Sequence, residues 1–99
     1  MTPEGKVKAQ VKKTLDKLGA YYFMPIGGPY ASRGVPDFIG CIGGRFFGIE
    51  TKAGNRTPTA LQERELRRIQ EAGGIALLIN ESNLHMVEEK LSEAQNSNG

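Results

Sequence analysis

Gly34-Val35-Pro36-Asp37-Phe38-Ile39-Gly40-Cys41-Ile42-Gly43-Gly44-Arg45-Phe46-Phe47-Gly48-Ile49-Glu50-Thr51-Lys52 is the stretch on which the fold turns. It reads as a β-hairpin. Residues 37–42 form a short apolar run opened by a carboxylate. Gly43-Gly44 is a two-residue turn signal, because glycine accepts the positive φ of tight hairpin turns. Residues 45–52 are the return strand, and it closes on Glu50 and Lys52. Side chains two apart on a strand share a face. An antiparallel pairing therefore brings Asp37, Glu50 and Lys52 to one end of an otherwise apolar unit.

Two carboxylates and an ammonium at one strand end suit a hard divalent cation such as Mg²⁺, which takes oxygen ligands and shares its shell with water and phosphate. The ammonium suits the orientation of an attacking water, or the charge that builds on a phosphate in the transition state. A Pro-Asp turn before a strand is also a common structural feature, and Glu-x-Lys at a strand end is often a solvated charge pair. The hairpin alone leaves both readings open.

Ninety-nine residues make one domain, read here as residues 1–94 with a small polar tail, Gln95 to Gly99, expected to be frayed. A net charge of +2 permits nucleic-acid binding without demanding it. The single cysteine, Cys41, excludes an internal disulfide, and its apolar neighbours suggest a buried thiol. There is no signal-peptide pattern and no apolar run of membrane-spanning length, so a soluble intracellular protein is expected.

Outside the hairpin, Thr2 to Leu18 reads as an amphipathic helix capped by Thr2, with Pro3 in its first turn and Gly19 as its stop. Val7, Val11, Leu15 and Leu18 form its apolar stripe. Lys6, Lys8, Lys12, Lys13 and Lys17 are placed opposite, and Glu4 on the core side. Residues 21–24 read as a strand. The loop 26–36 is long for so small a chain, and it carries Tyr30, Ser32 and Arg33 toward Asp37. A second polar loop, 53–59, carries Arg56. A helix is expected over 58–72, capped by Thr57 or Thr59, with Leu66 and Ile69 on its apolar face. Gln62 falls on that face too, and a buried amide needs a partner, expected near the start of the helix. Ile75 to Ile79 reads as a strand covered on both faces. Leu84 to Glu93 reads as a last helix, with His85 on its solvated side.

Strands interleaved with helices imply an α/β fold, with a mixed four-stranded sheet flanked by helices in the order αβββαβα. That order, with Glu4, Gly34-Val35-Pro36-Asp37, Glu50-Thr51-Lys52 and Gln62, resembles the VRR-NUC (virus-type replication-repair nuclease) family of the PD-(D/E)xK superfamily, whose core is restriction-endonuclease-like. The resemblance spans almost the whole chain. It implies an Mg²⁺- or Mn²⁺-dependent deoxyribonuclease in which Asp37, Glu50 and the Thr51 carbonyl hold the metal. Lys52 assists the attacking water, and Glu4 and Gln62 support the site. DNA is the expected substrate, in replication, recombination or repair, and the preference between linear and branched or four-way-junction DNA is left open by the sequence. Its backbone would be held by Lys8, Lys12, Tyr30, Ser32, Arg33, Arg45 and Arg56, with Arg64, Arg67 and Arg68 adding charge. A homodimer is expected, because a two-fold axis matches that of a four-way junction. The rival reading is a non-catalytic nucleic-acid-binding module on the same fold, and the intact Asp37, Glu50 and Lys52 weigh against it.

Overall fold

A computed structural model describes residues 1–27 and 33–96. Helix α1 (Pro3–Leu18) begins where the sequence places it: the Thr2 hydroxyl accepts from the Gly5 N–H, and Gly19 closes the helix in the left-handed conformation. Its stripe of Val7, Val11 and Leu15 is buried. Strands β1 (Tyr21–Phe23), β2 (Phe38–Ile42) and β3 (Arg45–Thr51) follow as an antiparallel meander. Gly43 and Gly44 both take positive φ, 57° and 80°, which sets the two-residue turn and pairs Ile42 with Arg45. Helix α2 (Ala60–Glu71) then carries the chain across to β4 (Ile75–Ile79), which lies parallel to β3. Helix α3 (His85–Asn96) ends the described chain.

The four strands lie side by side in sequence order, a mixed sheet flanked by helices in the order αβββαβα. One face carries the core. Phe38, Ile42, Phe47, Ile49, Leu77 and Ile79 meet Val7, Val11 and Leu15 from α1 and Val87, Leu91 and Ala94 from α3. The other face is covered by α2 over β3 and β4. Ile69 comes down on Gly48, where a Cβ would lie 2.5 Å from its Cδ1.

Several expectations need correction. β4 is an edge strand covered only in part on its α2 face, and Leu78 is 41% exposed, because α2 leaves part of that surface bare. Cys41 is exposed: β2 alternates, and the residues turned to the core are Phe38, Gly40 and Ile42. Helix α2 buries no residue fully. Gln95 and Asn96 are helical rather than frayed, and the Gln95 amide donates to the Leu18 carbonyl at 3.1 Å. Lys8 does not lie opposite Glu4: residues four apart share a helix face, and the two are ion-paired. Tyr30 and Ser32 lie outside the described residues. Among the described residues, no helix is long and apolar enough to cross a membrane.

Candidate active site

The site is built by the register of the hairpin. Phe38 pairs with Ile49, so one further step sets Asp37 beside Glu50, and a second sets Pro36 across from Thr51. Proline has no N–H, and the ladder cannot continue there. In an extended strand the N–H and C=O of one residue point to the same neighbour. The Lys52 N–H bonds Ile79 on the β4 side, so the Thr51 amide and carbonyl face the Asp37 side. Asp37 takes over the missing half of the ladder. Its Oδ2 accepts from the Thr51 N–H at 2.8 Å and from the Thr51 hydroxyl at 2.6 Å. The Thr51 carbonyl meets no strand N–H from Pro36.

Glu50 is 3% exposed, and its Oε1 has no hydrogen-bond partner. Its Oε2 lies 3.7 Å from the Lys52 ammonium, which is itself largely covered. Burial is the main force on this carboxyl, and the negative charge of Asp37 adds to it. Glu4 pushes the same way, while Lys52 and Lys8 oppose, and the outcome is a pKa pushed up to about 7. A buried carboxylate oxygen without a donor is costly unless a cation or a proton satisfies it.

Helix α1 delivers the remaining charges. The Lys8 ammonium lies 3.6 Å from Glu4 Oε2 and 3.6 Å from Asp37 Oδ1. The structure thus gathers Asp37, Glu50, Lys52, Glu4 and Lys8 at one end of β3. Among the described residues, no three or more His, Cys, Asp or Glu side chains converge as a metal-holding group, and Glu4 is joined to the site through Lys8. The donors are Asp37 Oδ1, the orphaned Glu50 Oε1 and the Thr51 carbonyl. That all-oxygen set of low count fits Mg²⁺ or Mn²⁺, which keep waters in their shell, and it does not fit a nitrogen- and sulfur-liganded zinc.

Gln62 is brought near but not in. Its side chain accepts from the Thr59 N–H at 2.9 Å while its own N–H donates to the Thr59 hydroxyl, a complete capping box at the start of α2. That helix start packs on Gly34: φ is +80°, and a Cβ there would lie 2.5 Å from the Leu61 carbonyl. Gly34 therefore fixes the segment that delivers Asp37 against α2. Of the other cations, Arg56 shares a shallow cavity with Thr2, Pro3 and Glu4, and Arg33 is exposed one residue before Gly34. Lys12 continues the Glu4–Lys8 row but pairs with Asp16 at 3.6 Å. Arg45 stands at the other end of β3, about 17 Å from Glu50 at the rise of a strand, and donates to the Gly73 carbonyl. Sequence reasoning missed the role of Lys8 within the carboxylate cluster; its signal was the four-residue spacing from Glu4.

A solved structure described as a VRR_NUC domain superposes on this fold with a TM-score of 0.72 and 26% identity, covering 94% of this chain and 97% of that one. The resemblance of this chain to the VRR-NUC family therefore extends from its motifs to its fold. No family model and no curated protein matches it. A nuclease-type module follows from the VRR-NUC fold.

Proposed function

We propose that this chain is a VRR-NUC-type, divalent-metal-dependent deoxyribonuclease, acting on branched or junction DNA in replication, recombination or repair. The observation that carries the reading is Glu50: a carboxylate 3% exposed, with one oxygen unpartnered, next in the chain to Thr51 and set across the hairpin from a second carboxylate. Asp37, Glu50 and the Thr51 carbonyl would hold Mg²⁺ or Mn²⁺. A bound cation of that kind supplies Lewis-acid charge and lowers the pKa of water. Lys52 is held beside Glu50 at the mouth of the site. It orients the attacking water and offsets the negative charge that develops on the phosphate. Asp37 keeps the strand end closed by occupying the Thr51 amide and hydroxyl. Glu4 holds Lys8, and Gln62 secures the helix against which the Gly34 segment rests.

DNA is the partner that the fold and charge favour. Lys8 pairs with Glu4 and Asp37, Arg56 shares a cavity with Glu4, Arg33 is exposed just before Gly34, and Tyr30 and Ser32 precede Asp37 in the sequence. Contacts of this kind give salt-dependent affinity without base choice. A homodimer is part of the proposal. β1 is an edge strand with no strand paired to its outer side among the described residues, and its Tyr21 and Phe23 are 77% and 54% exposed, a surface suited to a second copy.

The test is incubation with linear, nicked, flapped and four-way-junction DNAs in Mg²⁺, Mn²⁺, Ca²⁺ or EDTA. Cleavage in Mg²⁺ or Mn²⁺, none in EDTA, and binding without turnover in Ca²⁺ are expected. DNA binding with no cleavage under any metal would favour the non-catalytic module instead.

A further inference from the structure

Asp37 has only one oxygen free to meet a metal. Oδ2 accepts from both the amide and the hydroxyl of Thr51, which is fully buried, and those bonds hold the strand end together. The other oxygen, Oδ1, faces the Lys8 ammonium at 3.6 Å. The same ammonium lies 3.6 Å from Glu4, and its charge acts on Glu50 as well. Lys8 is thus a cation already seated among the proposed metal-site carboxylates. Its backbone cannot retreat, because it sits one residue beyond Val7, which is 2% exposed in the core, on a helix capped at Thr2.

We propose that Lys8 is the internal counter-ion of the metal-free site: a divalent cation must displace it from Asp37 Oδ1, and the displaced ammonium, kept nearby by Glu4, then takes the substrate phosphate. The inference rests on the metal reading above and adds to it a coupling between metal loading and DNA binding through one side chain. Two cations do not share one carboxylate oxygen without repulsion. Once Asp37 is occupied, Glu4 alone does not use all three donors of the ammonium, and an anionic phosphate is the complementary partner. Lys8 is accordingly a positioning residue that opposes metal and favours DNA.

Calorimetry with Ca²⁺ on wild type, Lys8→Met and Lys8→Arg separates these effects, with DNA affinity measured in Ca²⁺ over a salt series. Lys8→Met should bind Ca²⁺ at least about fivefold tighter, since a neighbouring positive charge is removed. Its DNA affinity should fall, with the salt slope reduced by about one. Lys8→Arg should stay near wild type in both, and melting curves should show all three proteins folded. Lys8 serving only as helix surface would leave Ca²⁺ affinity unmoved. A normal wild-type isotherm with equal or weaker Ca²⁺ binding by Lys8→Met overturns this inference alone. No binding heat for wild type with Ca²⁺, Mg²⁺ or Mn²⁺ overturns the metal reading and this inference with it.

Discussion

The carboxyl of Glu50 is buried, and that burial with the nearby Asp37 charge pushes its pKa up to about 7. An unfolded glutamate ionises near 4.5, so between those values the folded state binds the extra proton. Stability of the metal-free protein should therefore fall as pH rises from about 5 to 8, by on the order of 2–3 kcal/mol. Denaturant melts in EDTA at the two pH values check this, and Glu50→Gln should flatten the difference and be the more stable protein at pH 8. An equal pH dependence in Glu50→Gln would assign the effect to another group. Metal binding should strengthen through the same window as the proton leaves. Asp37 differs from Glu50 because it has structural bonds to lose. Asp37→Ala leaves the buried Thr51 amide and hydroxyl without a partner and should cost about 1–3 kcal/mol. Denaturation in EDTA that shows Asp37→Ala as stable as wild type would contradict the Thr51 contacts.

At the level of elements, the capping box of α2 explains why a glutamine lies on an otherwise apolar helix face. Thr59→Ala should lower stability by about 1 kcal/mol, and Gln62→Glu, which keeps an acceptor at the third helical position, should lower it less than Gln62→Leu. Cleavage kinetics on the same variants separate this structural task from a role at the site: Gln62→Leu with wild-type turnover would leave Gln62 a cap alone. Gly34→Ala should cost about 2 kcal/mol or more, since it adds left-handed strain to a clash with Leu61. Most of this level was legible in the sequence. Thr2 and Pro3 mark one helix start, and Gly43-Gly44 mark the hairpin turn. The register that turn imposes brings Asp37 to Glu50. Coverage was not legible. Cys41 and Leu78 read as buried because apolar runs do not reveal which sheet face a helix leaves bare. The place of Lys8 was hidden by grouping the lysines together, although its spacing from Glu4 put the two on one face.

Across the whole molecule, the candidate metal-site carboxylates, cations and a fixed strand end lie together at one end of β3, while Arg45 stands at the far end. The β1 edge strand, with Tyr21 and Phe23 exposed, suits the proposed two-fold partner, and light scattering at micromolar concentration should give twice the mass of one chain. A monomer mass with full activity would remove the dimer from the account and leave the site untouched. The pairing of Glu50 with Lys52 carries the central claim. The most direct test is the single-turnover cleavage rate of four-way-junction DNA in Mn²⁺ for wild type and for Glu50→Gln, purified identically and matched for folding by their melting curves. The account predicts metal-dependent cutting by wild type that EDTA stops, and a loss of at least about a hundredfold in Glu50→Gln. Comparable rates in the two proteins, or cutting that persists in EDTA, would contradict it.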